Sequence, residues 1–167
     1  YGWVKGNVTS IEQKLREVID VLKMRPDYTE AYLCLGWLHS KNGDIEKAIP
    51  AFEKAIELMP DSYNAHLCLG NVYVQKGEIK DALGEYTKVW EILAKKNQDD
   101  LEQGMAFLNR GNIEQAISCF NEVLKINSEC EEAYTFLADA YEKKGLYSVG
   151  MVLRLRGERL KQEAHNF

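Results

Sequence analysis

A repeat with a period of 34 residues constrains this chain more than any other feature of its sequence. The stretch LCLGWLHSKNGDIEKAIPAF, Leu33 to Phe52, returns as LCLGNVYVQKGEIKDALGEY, Leu67 to Tyr86. Blocks begun at Thr29, Tyr63, Asn97 and Glu131 follow one another without insertion. Self-similarity at such an interval means one small structural unit copied and stacked, because a single copy cannot bury its apolar face alone.

The columns of the repeat state what each copy is. The eighth place reads Gly36, Gly70, Gly104 and Ala138, and the fifteenth Gly43, Gly77, Gly111 and Gly145. The twentieth reads Ala48, Ala82, Ala116 and Gly150. Bulky residues keep their own places, with His39, Tyr73, Phe107 and Tyr141 at the eleventh and Phe52, Tyr86 and Phe120 at the twenty-fourth. In the first full repeat Tyr32, Leu35, Gly36 and His39 recur at helical spacing. After SKNG, a second stripe follows through Ile45, Ala48, Ile49, Phe52, Ala55 and Ile56. Gly43 suits a left-handed helix end, and Asp44 and Asn112 suit the caps of the helices that follow. Each copy is therefore expected to be a helical hairpin, with small residues at places eight and twenty where its helices approach.

This pattern resembles the tetratricopeptide repeat family across residues 29–162. Tyr32, Leu35, Gly36, His39, Ala48, Phe52, Ala55 and Pro60 answer that family's sequence of large, Leu, Gly and aromatic places, then Ala, Phe, Ala and Pro. The resemblance implies an all-α fold, a right-handed superhelical solenoid of antiparallel helix pairs. The expected organisation is a truncated repeat over 1–28, repeats over 29–62, 63–96 and 97–130, and a last repeat with a longer helix over 131–167, all in one domain. YGWVKGNV overlays LGWLHSKN and pairs Gly2 with Gly36, so the chain reads as a piece of a longer array that starts inside a unit.

Departures from the pattern carry expectations too. Asp100 and Gln103 replace a bulky residue and Leu in the third full repeat, so the helix start around KKNQDD should pack poorly and fray. Arg154 replaces the aromatic of the twenty-fourth column, as would suit a solvent-facing end or a contact with a further segment. Pro50 lies inside a helix and lacks the backbone N–H of a regular turn, so a local bend is expected there.

Several function classes drop out. The chain has no glycine-rich phosphate loop, no HExxH and no recognisable nucleophile arrangement, so an enzyme is not expected. No cofactor is implied. Its net charge of -5 argues against nucleic acid, and it lacks an apolar run long enough to span a membrane. Cys34, Cys68, Cys119 and Cys130 form no CxxC pair and read as reduced, small hydrophobes of a cytoplasmic or other reducing compartment. Charge is unevenly spread, with ten acidic and two basic residues over 97–142 and six basic and two acidic over 143–167.

What is left is surface. In the resembled family the first helix of each repeat lines a concave groove through its second, fifth, sixth, ninth and thirteenth places. Carried over residue by residue, these give Leu33, Leu67, Leu101 and Thr135, then Cys34, Cys68, Glu102 and Phe136. The ninth place gives Trp3, Trp37, Asn71, Met105 and Asp139, and Glu132 adds a second-place carboxylate. The first half of this ladder is apolar and aromatic, and the second half is acidic, a match for a peptide or helix with basic residues. Relatives that clamp a C-terminal carboxylate use Lys, Arg and Asn. Here Leu33, Trp37, Cys68, Gln98 and Glu102 stand at those places, and a start one repeat later recovers only Asn71. The expected function is a protein-protein interaction module that binds a partner in its groove without carboxylate-clamp chemistry. The alternative is an architectural, scaffolding segment that spaces other domains or self-associates as a homo-oligomer.

Overall fold

The computed structural model describes residues 2–165, with side chains from Ser10 onward. Among the described residues it is all-α, with eight helices and no strand. These are α1 (Gly2–Met24), α2 (Thr29–Asn42), α3 (Ile45–Leu58), α4 (Tyr63–Lys76), α5 (Ile79–Asn109), α6 (Ile113–Ile126), α7 (Glu131–Lys143) and α8 (Tyr147–His165). They form two compact units, an N-terminal one ending at Ile92 and a C-terminal one beginning at Leu93.

Hairpin turns sit at the fifteenth place. Gly43, Gly77, Gly111 and Gly145 have φ values of 82, 86, 80 and 85°, a left-handed conformation that a side chain disfavours. At Gly43 the amide donates to the Ser40 carbonyl while the next amide, on Asp44, reaches back to His39 at 2.9 Å. This pair of bonds satisfies carbonyls that the helix end leaves open. Asp44 and Asn112 do occupy the N-cap positions of α3 and α6, yet neither side chain caps its helix. The Asp44 carboxylate instead accepts from Asn42 Nδ2 at 2.9 Å, and that bond lowers its pKa. Helix α3 runs through Pro50 without interruption.

Three hairpins close through a glycine beneath a ring. A Cβ placed on Gly36 would come within 2.7 Å of the Phe52 ring, and one on Gly70 within 2.6 Å of the Tyr86 ring. Gly104 stands in the same relation to Phe120. The last hairpin solves the contact in another way. Ala138 fills the glycine place, and Arg154 fills the aromatic one, donating to Asp139 at 2.8 Å and Glu142 at 2.9 Å. Two α7 carboxylates thus hold the partly exposed Arg154 side chain.

Loops between hairpins share one bond. The hydroxyls of Tyr32 and Tyr134 donate to the carbonyls of Pro26 and Ser128, each six residues back, at 3.2 and 3.3 Å. His66 Nε2 does the same to Pro60 at 3.0 Å, while its Nδ1 lies 2.6 Å from Glu85 Oε2. This histidine packs as a hydrogen-bonded core residue.

The segment expected to fray is helical instead. Helix α5 continues through residues 93–100, where the neighbouring repeats have a loop. The cause is composition. Where Met59, Pro60, Asp61 and the capping Ser62 end one hairpin and start the next, the chain has Leu93, Ala94, Lys95 and Lys96, all good helix formers. Asp100 has no loop carbonyl to bind. Its Oδ2 and Asn97 Oδ1 are buried without a partner.

Candidate functional site

In the N-terminal unit the first helices are α2 and α4, which touch through Ser40 and Gln75 at 3.4 Å. Leu33 and Cys68 are half-buried against the Phe52 cluster, so both serve packing. Burial pushes the Cys68 thiol pKa up. Trp37 lies one turn from both Leu33 and Ser40, hence on the edge of α2 that meets α4. It is 49 % exposed, and Lys41 Nζ stands 5.7 Å from its ring centroid. On α4, Leu67 is 40 % exposed, and Asn71 is exposed. The Tyr86 hydroxyl donates to Asn71 Oδ1 at 2.7 Å, so the amide nitrogen is what Asn71 has left to offer. Cys34 is exposed, and all four cysteines are free thiols. Trp3 lies outside the described side chains.

The C-terminal unit has a cleft of about 510 Å³ between the end of α5 and α7. Met105, Leu108 and Phe136 supply its apolar lining, with Asn109, Asp139, Glu142, Lys143 and Tyr147 around them. Phe136 also stacks at a tilt on Phe120, with centroids 5.5 Å apart. A second cleft of about 330 Å³ lies between α7 and α8, lined by Glu132, Thr135, Phe136 and Arg154 among others. Leu101 is packed into the core, and Thr135 donates to its own helix at the Glu131 carbonyl, 3.0 Å away. Glu102 is exposed and accepts from Gln98 at 2.8 Å.

The expected acidic wall is therefore thinner than composition implies. The Asp139 and Glu142 carboxylates are engaged by Arg154, whose pKa they raise, Asp139 first. That leaves Glu102 and Glu132, which accept from Gln98 and the Cys130 thiol, as the carboxylates of the ladder without an ion pair among the described residues. Arg154→Ala should lower stability by about 1 kcal/mol, a small loss because all three side chains are partly exposed and screened. Urea denaturation would measure it.

Sequence reasoning missed Asn109, Lys143, Tyr147 and Arg154 as lining residues. Asn109 and Lys143 occupy the thirteenth place, which the family pattern already assigns to the groove. For Arg154 the signal was the pairing of columns. Glycine at place eight goes with a ring at place twenty-four three times, and alanine goes with arginine once.

Two family models match the chain, a TPR repeat over residues 39–77 and a tetratricopeptide repeat over residues 101–149. No curated protein matches it in sequence. Among solved structures, the crystal structure of MamA is 21 % identical over 98 % of this chain and 95 % of that one, with a TM-score of 0.49. MamA from Desulfovibrio magneticus, residue 41 to its end, is 18 % identical over 92 % and 87 %, also at 0.49. YrrB, described as a TPR protein with an unusual peptide-binding site, is 18 % identical over 87 % and 92 %, at 0.43.

Proposed function

We propose that this chain, which belongs to the tetratricopeptide repeat family, is a protein-protein interaction module that holds a peptide or helical segment of a partner against its first helices. The observation that carries this reading is the half-exposed Trp37 side chain of α2, with Leu67 of α4 also exposed. Burying a large rigid ring costs little rotamer freedom, and such residues dominate binding energies at interfaces. The Met105–Phe136 cleft offers a second apolar seat, and Glu102 and Glu132 suit basic residues of the ligand. No Lys, Arg or Asn set is present to clamp a terminal carboxylate. No catalytic step is assigned. No helix among the described residues is long and apolar enough to cross a membrane.

Affinity capture from source cells, followed by titration of the captured partner, tests the reading. Trp37→Ala should weaken binding by about 2–4 kcal/mol, roughly 30- to 1000-fold, and Leu67→Ala should weaken it less. Helicity should not change, since neither side chain is a core residue. Equal affinity for wild type and both variants would remove the groove from the mechanism.

A further inference from the structure

His66 stands apart among the buried groups of the N-terminal unit, because both of its ring nitrogens face acceptors. Nε2 lies 3.0 Å from the Pro60 carbonyl in the loop before α4, and Nδ1 lies 2.6 Å from Glu85 Oε2 on α5. A carbonyl has no proton to give, so Nε2 carries hydrogen. In a neutral ring that would be the one N–H, and Nδ1 would turn its lone pair on a carboxylate. The 2.6 Å contact therefore holds a second proton, on Nδ1 as an imidazolium or on Oε2 as a carboxylic acid. The proton count of the pair is the same either way.

The repeat columns mark this pair as a local exchange. Tyr32 and Tyr134 fill the His66 place with a neutral hydroxyl that makes the loop bond alone, and Ala51 and Leu153 stand at the Glu85 place of those repeats. The repeat with histidine is the one that has a carboxylate there. The surroundings favour positive charge. Tyr73 lies two turns along the same face of α4, and its pKa is raised by burial first, then by Glu53 of α3 and by Glu85, Asp81 and Glu78 of α5. Carboxylates thus approach this face from both helices packed on α4. Lys88, one turn from Glu85, is paired with Glu91 at 2.8 Å. We propose that His66 and Glu85 form a proton-dependent latch on the Pro60 loop, closed while the pair holds its shared proton and loosened when that proton leaves. In an unfolded chain an imidazole gives up its proton near about pH 6.5. The folded pair keeps one proton more above that pH, so the latch stabilises fully below it and its contribution is lost as the pH rises. The latch uses none of the residues assigned to the groove, and either proposal can fail without the other.

Urea denaturation of the full chain, followed by tryptophan fluorescence, tests it, because Trp3, Trp37 and Trp90 all belong to the N-terminal unit. Between about pH 6 and pH 8 the folding equilibrium constant of the wild type should fall about five- to thirtyfold more than that of Glu85→Gln. In that variant the new amide donates to Nδ1 and the neutral ring still donates to Pro60, so both bonds persist without the extra proton. Any contribution of His39, whose Nδ1 lies 3.5 Å from Asp44, is common to both proteins and drops out of the comparison. His66→Tyr installs the residue that two other repeats carry and should show the same weak pH dependence as Glu85→Gln. It carries the comparison should Glu85→Gln fail to fold. Parallel pH curves for wild type and Glu85→Gln would overturn the proposal, as would a His66→Tyr chain that keeps the wild-type slope.

Discussion

Phe120→Ala is expected to lower stability by about 3–5 kcal/mol, enough to leave much of the C-terminal unit unfolded at ambient temperature. The Phe120 ring is fully buried and lies over the backbone of Gly104, with Phe136 stacked beside it. Truncation removes the transfer energy of the ring and leaves a hole whose far wall is a glycine. No side chain there can swing in to fill it. Urea denaturation followed by far-UV circular dichroism would register the loss as an early transition. A shift below about 1 kcal/mol would mean that the hairpin collapses around the gap, and that the ring-over-glycine contact is not what holds α5 to α6.

Ala94→Pro is expected to cost about 3 kcal/mol or more, with a visible loss of helicity. Proline at this place would withdraw the amide that should bond the Trp90 carbonyl and would press its ring on the preceding turn. In the two earlier copies of the repeat, Pro26 and Pro60 stand at the same place and end a helix there without harm. The contrast makes the experiment decisive about α5. If the substitution proves neutral in denaturation and circular dichroism, residues 93–97 form a loop like their counterparts, and the 31-residue helix is not the stable form.

The hairpins themselves were legible in sequence. Gly43 was expected to end its helix in a left-handed conformation; it does, and so do Gly77, Gly111 and Gly145 at the same place of the other repeats. The seam at α5 was not read, although its signals lay in plain letters. The Pro60 and Ser62 places hold Ala94 and Lys96, and loop residues at those places are what divide one helix from the next. Asp100 looked like a packing defect. It is better understood as the place where a loop-closing tyrosine or histidine has no loop to close.

The candidate site divides along a different line. Trp37 and Leu67 were readable because exposure follows from position on a helix whose other face is spoken for. Leu33, Cys68 and Leu101 belong to the same columns, yet neighbouring side chains draw them into the core. Asp139 was expected to face a ligand. Its partner Arg154 is fifteen residues away on the next helix, and only the replacement of a ring by arginine in its column hinted at the pair.

Sequence alone determined where helices turn and which face of each is apolar, because capping, backbone freedom and side-chain periodicity act over a few neighbouring residues. Tertiary structure decided which carboxylates still carry open charge. Ion pairing and burial depend on groups brought together from distant parts of the chain. Glu142 is spent on Arg154 only because α8 returns along α7.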